Sequence, residues 1–330
     1  MRRFPFRLVV LLVPWSALCA APDAAPLPCD MVAARELFGA RRDGEAQAAF
    51  EHILATEPAN HEAVYHLGRI AKRRGDWAAA AESYERCTRL APSEALYWAD
   101  LGEAYGKLAG KAGIFRQLGL ARKCRAALEK AVELDPDNLD YRQGLIEYCV
   151  KAPSIAGGGS GKALAQAAEI AKRDAYAGAL AAGGIQAGEK NWGAAEVAFA
   201  SAAKLKPAAV EPLAALGLLY VEQERFADAL VQFDQAIARN PDDFAVLFQI
   251  GRVAALSGLN LAEGEAALRR YLAQPAHLPG LPSNANAQHR LGDILARRGD
   301  TAAARTAYEE ALRLDPGLKP AAEALAKLAR

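Results

Sequence analysis

HEAVYHLGRIAKRRGDWAAAAESYERCTRLAPSE, residues 61–94, is the stretch whose reading decides the fold. Leu67, Ile70 and Ala71 recur at helical spacing, Gly75-Asp76 interrupts them, and Trp77, Ala80, Tyr84 and Cys87 resume the pattern until Pro92 ends it. The stretch is therefore two helices, neither of which can bury its apolar face alone. Gly68 and Ala80 are small enough to let two backbones approach, and Leu67 and Tyr84 fill the space on either side.

The same order returns along the chain: Leu-Gly, then Ala, then an aromatic residue four places on, then Pro. Pro58, Pro92, Pro207, Pro241 and Pro275 stand 34 residues apart wherever nothing is inserted. On these residues the chain resembles the tetratricopeptide-repeat family, whose unit is a 34-residue helix–turn–helix. That resemblance implies an all-α solenoid, a right-handed superhelix of about eight units over 30–330 with a concave groove. It also implies a non-catalytic interaction module that binds a protein or peptide segment there.

Length alone would suggest two globular domains, but an array in which each unit touches only its neighbours removes that inference. Hydrophobic residues make up 52% and aromatic residues 7% of the chain, a balance rich in Ala that suits close-packed helices better than sheets. Residues 1–20 differ from the rest. Arg2, Arg3 and Arg7 precede the apolar run Leu8 to Val13, and small residues follow at Ala17, Cys19, Ala20 and Ala21, the pattern of a secretory signal peptide. Cleavage is expected after Ala20 or Cys19. The run is too short, and too soon broken by Pro14, to span a membrane. Acylation of Cys19 as a lipoprotein is the alternative, although Ser16-Ala17-Leu18 does not match the usual arrangement before such a cysteine.

Residues 21–29, rich in Pro and Ala, read as a disordered leader. Losing three arginines turns the formal charge from +1 to about −2, which gives nucleic acid no attraction. Export, the Ala and Arg content and the resemblance together point to a bacterial envelope, most simply a periplasm.

Two units depart from the period. Pro136 follows Pro92 by 44 residues, so ten are inserted near 106–118, and a shorter insertion falls at 152–161. Both lie between the first and second helix of their unit, so they should be neighbours on one rim, with Ile114, Phe115, Leu118 and Ile155 covering one another. Residues 319–330 read as a capping helix with Ala322, Leu325 and Leu328 inward.

Chemistry is sparse. Ala156-Gly-Gly-Gly-Ser-Gly-Lys162-Ala163 lacks the first glycine and the magnesium-holding Ser or Thr of a phosphate loop, and reads as a flexible connector. His52, His61, His66, His277 and His289 show no metal spacing. No catalytic residues, metal or cofactor are expected, and a nucleotide-binding enzyme is a remote alternative. In an oxidising compartment Cys124 and Cys149, on adjacent antiparallel helices, are candidates for a disulfide.

In the family the groove is lined by the second, fifth, ninth, twelfth and thirteenth residues of each unit. Here the resemblance nominates Tyr65, Arg69, Lys72, Arg73, Glu103, Lys107, Leu180, Leu218, Val221, Phe248, Arg252, Leu256, His289 and Arg297. The apolar members on units five to seven either pack against neighbouring helices under tight curvature or, where exposed, form a binding strip, with Arg69, Lys72 and Arg73 receiving an acidic end of the partner. A second functional class, an accessory of envelope polymer, polysaccharide or pilus assembly, is also consistent with exported members that the chain resembles.

Overall fold

The computed structural model describes residues 30–274 and 279–328, residues 114 and 115 by backbone alone. The signal peptide, the leader, Cys29, Pro275 and His277 lie outside them, as do the side chains of Ile114 and Phe115. The described residues divide into two compact units, one ending at Ser93 and the other starting at Glu94. All the regular structure among them is helical.

In the first unit α1 (Met31–Gly39) and α2 (Asp43–Thr56) pair, followed by α3 (His61–Arg73) and α4 (Trp77–Leu90). Its core is Ala34, Phe38, Ala46, Ala49, Phe50, Ile53, Ala63 and Ile70. The second unit runs α5 (Ala95–Lys111), α6 (Ile114–Leu134), α7 (Leu139–Lys151), α8 (Ser160–Ala171), α9 (Ala175–Gly188) and α10 (Trp192–Leu205). It continues through α11 (Glu211–Glu222), α12 (Phe226–Arg239), α13 (Phe244–Ser257), α14 (Leu261–Leu272), α15 (Asn284–Arg297), α16 (Thr301–Leu314) and α17 (Lys319–Leu328).

Several of the helices begin where a side chain can take up a first-turn amide. Asp30, Asn60, Asp76, Asp174, Asp243, Ser283 and Asp300 each accept the N–H three residues on, at 2.8–3.2 Å. Within a pair the helices close over a glycine. A Cβ on Gly68, Gly183, Gly217 or Gly292 would stand 2.3–2.7 Å from the ring of Tyr84, Phe199, Phe233 or Tyr308, sixteen residues downstream in every case. Most turns between paired helices use a left-handed residue, the α5–α6 turn excepted. Gly75, Gly258 and Gly299 supply it, while Arg41, Lys190 and Glu224 adopt φ of +56 to +60° at the equivalent place.

The ten-residue insertion is mostly helix. Gly102 packs on Leu128, twenty-six residues on, and the extra length is spent on α5, with 17 residues, and α6, with 21, against 13 and 14 for α3 and α4. Only Ala112 and Gly113 turn the chain between them.

The second insertion is not the flexible connector expected from its glycines. Ser154–Ala156 form a 3₁₀ turn, Gly159 N–H donates to Cys149 O at 2.7 Å, and the Tyr148 hydroxyl donates to Ala156 O at 2.5 Å. Gly158 lies so close to Ala152 that a Cβ would stand 1.8 Å from its carbonyl oxygen. The second insertion packs on α6 beyond the first one, where Arg125 fills the place a Gly157 side chain would take. Ile155 is not covered there; it is 73% exposed.

The end cap is also rotated from the expected face. Ala321 is buried and Ala324, Leu325 and Leu328 pack on the core, whereas Ala322 is exposed. Ala321, Leu325 and Leu328 share a helical stripe that Ala322 misses by one position.

Candidate functional site

The first helix of each pair carries the positions nominated for ligand contact, and the structure divides them into residues that hold the array together and residues that face outward. In the first unit Arg73 belongs to the former. Its Nη1 is 2.5 Å from Asp43 Oδ1, both its terminal nitrogens donate to Phe38 O at 3.3 Å, and its guanidinium lies 3.6 Å from the Phe38 ring centroid. Arg73 thus fastens α3 to the C-terminal end of α1. Arg69 is exposed and leans over Phe38 and Tyr65, at 4.7 and 5.8 Å. Tyr65 and Lys72 are half-buried.

Sequence reasoning passed over His66 beside them. Its ring stacks on Phe50 at 4.8 Å with 3° between the planes, and meets the edge of Phe38 at 4.9 Å. Nδ1 is buried without a hydrogen-bond partner among the described residues. Burial, reinforced by the nearby charges of Arg69 and Arg35, lowers the His66 pKa to about 4. The signal available in the sequence was its place beside Leu67-Gly68, inside the packed stripe.

In the second unit the apolar set is largely core, the first of the two readings. Val221 and Phe248 are each 6% exposed and Ala255 4%, while Leu180 is half-buried. Phe248 packs 5.5 Å from Tyr271 of α14, and α13 lies directly against α15, so the repeat curls its first helices onto one another here. Leu218 and Leu256 do face outward, at 41% and 39%.

Arg297 repeats the device of Arg73 at the same place in its unit. It donates to Ala255 O at 2.9 Å and Leu256 O at 3.1 Å, closing the end of α13. His289, 6% exposed, is not a surface contact either: its Nε2 stands 3.6 Å from Asp293, which also accepts from Tyr308 at 3.0 Å and Arg290 at 3.1 Å. Burial lowers the His289 pKa and, with Asp293 alongside, raises that of Tyr308. Arg252 is half-buried and donates to Gln249 at 3.2 Å; Glu103 is half-buried and Lys107 exposed on α5.

What remains is a low, apolar surface centred on α9 and α11. Along α9, Ala177, Leu180, Ala181, Gly184 and Ala187 are all partly exposed, and a Cβ placed on Gly184 would meet nothing within 4 Å. No packing contact requires glycine there, although glycine inside a helix costs about 1 kcal/mol relative to alanine. A shallow cleft of about 380 Å³ lies to one side, between the loops that open α11 and α13, lined by Val210, Glu211, Asn240 and Asp243.

Cys124 and Cys149 are buried free thiols, so the proposed bridge is absent. Cys124 Sγ lies 3.5 Å from the Cβ position of Gly106, across its own hairpin. Burial pushes the Cys124 pKa up to about 12 and raises that of Cys149. The lysine of the glycine-rich loop is turned inward, with Lys162 Nζ donating to Gly157 O at 3.0 Å. Among the described residues no group of three His, Cys, Asp or Glu could hold a metal, and no helix is long and apolar enough to cross a membrane.

Models of the tetratricopeptide repeat match residues 31–95, 67–108, 108–138, 214–279 and 285–318. A search of curated proteins finds no match. Among solved structures the chain is similar to a tetratricopeptide repeat protein from Parabacteroides merdae, at TM-score 0.51 and 14% identity, over 82% of this chain and 99% of that one. It is also similar to the C-terminal part of a repeat-containing protein from Cytophaga hutchinsonii, at TM-score 0.50 and 15% identity over 90% and 99% of the two chains. The Cut9–Hcn1 hetero-tetramer of the APC/C matches at TM-score 0.50 and 16% identity, over 90% of this chain and 55% of that one.

Proposed function

We propose that this chain, which belongs to the tetratricopeptide-repeat family, is a non-enzymatic scaffold that holds an apolar protein segment on the first-helix face of α9, α11 and α13. The observation that carries this reading is the open surface over Gly184, bordered by the outward-facing Leu218 and Leu256. Small side chains lower the floor, so an incoming helix or extended strand approaches the backbone closely, and the two leucines offer it apolar contact. Arg252 and Glu222 on the same helices give the polar edge that orients such a segment. The place of action we propose is a bacterial cell envelope, reached through the charged and apolar leader at residues 1–20.

Peptide-library selection against the full chain, followed by titration of the selected peptides, tests the face. Leu218→Ser with Leu256→Ser should weaken those peptides at least ~10-fold with unchanged helicity. Phe248 is unsuitable for this test because it is core. If every selected peptide binds the double variant as well as the parent, the face is not the binding surface. N-terminal sequencing of the protein from an expressing bacterium tests export: a chain beginning at Ala20 or Ala21 is expected, and full-length protein in the cytosol would overturn it.

A further inference from the structure

The long hairpin of α5 and α6 has a second property that packing does not explain. From Ala104 to Leu128 the chain carries Lys107, Lys111, Arg116, Arg122, Lys123 and Arg125 and no acidic residue. The corresponding turn between α11 and α12 mixes signs, with Glu222, Glu224 and Asp228 around Arg225. Lys111, Arg116 and Arg122 are exposed, and no described carboxylate lies within ion-pair distance of them. Leu118 and Leu120 are half-buried between these cations.

The geometry places that charge on a projection. Seven extra residues on α6 and four on α5, relative to α4 and α3, lengthen the hairpin by about 10 Å and 6 Å at 1.5 Å per residue. Its base is held by the 153–159 segment, where Arg125 covers Gly157 and Tyr148 is bonded to Ala156, so the projection is buttressed.

We infer that this hairpin docks the protein on an anionic phospholipid surface. Two features favour a bilayer over an acidic polypeptide. The outward-facing cations Lys111, Arg116 and Arg122 are distributed over two helices of a projecting hairpin, while Arg125 is engaged at its base with Glu129, and a plane of headgroups can meet the outward three whatever their spacing. The field of an anionic leaflet decays over about 8–10 Å at physiological salt, which matches the length of the projection. The tip therefore enters that field while the first-helix face of α9 to α13 stays available for its own ligand.

Co-sedimentation of the chain from Ala21 onward, which contains every described residue, tests this with vesicles of phosphatidylglycerol and phosphatidylcholine in equal parts, and with phosphatidylcholine alone. Binding to the anionic vesicles only is expected, weakening as salt rises. Lys111→Gln, Arg116→Gln and Arg122→Gln together should lower it about 100-fold, from a several-fold contribution per basic residue near the surface. Arg298→Gln, Arg305→Gln and Arg313→Gln remove equal charge from α15 and α16 and their flanks and should leave it unchanged, as should the Leu218 and Leu256 double variant. Circular dichroism confirms that each variant is folded. Absence of binding at low salt overturns the inference, as does an equal loss in both charge variants. Displacement of the bound chain by poly-glutamate at matched charge assigns the hairpin to an acidic protein instead.

Discussion

Replacing His66 should remove an acid sensitivity from the first unit. The imidazole is packed between Phe50 and Phe38 with Arg69, Arg35 and Arg73 around it and only Glu62 opposing them, and its pKa in the folded protein is about 4 against an ordinary 6.5. Because the folded value lies below the unfolded one, the unfolded chain takes up the proton first as pH falls. The neutral ring therefore contributes its full stability above about pH 6.5, loses it progressively below that, and has lost it all once the pH is under about 4. A difference of 2.5 units would be ~3.4 kcal/mol at 1.36 kcal/mol each; solvent reaching the open side of the ring reduces this to about 2 kcal/mol.

His66→Phe keeps a flat ring in the stack and has no proton to gain. Amide exchange of α1, α2 and α3, converted to opening free energies between pH 7.5 and 4.5, gives the local stability that a single melting curve of a repeat array would blur. The parent should lose about 2 kcal/mol more than the variant over that range. An NMR titration of the His66 ring supplies the direct reading. A midpoint near 6.5, or equal pH slopes in parent and variant, would refute the reasoning.

Arg41→Gly, Lys190→Gly and Glu224→Gly should each raise stability by about 0.5–1 kcal/mol in chemical denaturation, since each replaces a side chain at positive φ with the residue that Gly75 and Gly299 already supply. Gly217→Ala should cost about 2–4 kcal/mol, because its Cβ would stand 2.3 Å from the Phe233 ring, whereas Gly193→Ala, with open space around it, should be neutral or stabilising. Cys124 and Cys149 should both be alkylated after denaturation without reductant, and should react slowly in the native protein; a mass two hydrogens short of the free-thiol value for this pair would show the bridge that the structure lacks. Arg297→Ala should speed amide exchange at the end of α13 by roughly 10-fold by uncovering Ala255 O and Leu256 O, and Arg297→Lys should restore little of it because one ammonium cannot serve both carbonyls in the same fork.

The repeat was legible because its defining contacts are local and periodic. Gly68 with Tyr84 and Gly217 with Phe233 sit at a fixed separation within the unit, and the proline spacing reports the 34-residue period of the unit itself. The ten-residue insertion was legible as a length and not as a structure. Ala, Leu, Lys, Arg and Gln fill the places between Gly110, Gly113 and Gly119, and their helix preference prevails over the cost of the exposed helical glycines. The loop at 152–161 was not legible: glycines that suggested freedom are there because Arg125 and Ala152 leave no room for a side chain.

The candidate site was less legible for a reason of reach. A repeat position states which way a Cα–Cβ bond points, and that decides exposure for short side chains such as Leu218 and Gly184. Arg73 and Arg297 start from such outward positions and then extend back to the carbonyl oxygens that end the preceding first helix. Phe248 starts outward too and turns onto Tyr271. Their common property is length, combined with a neighbouring helix close enough to offer an unsatisfied carbonyl or an aromatic face. An arginine at the thirteenth place of a unit therefore reads first as a clamp between successive helices and only second as a ligand contact, so the outward surface of this array is best sought where the side chains at those places are too short to reach back.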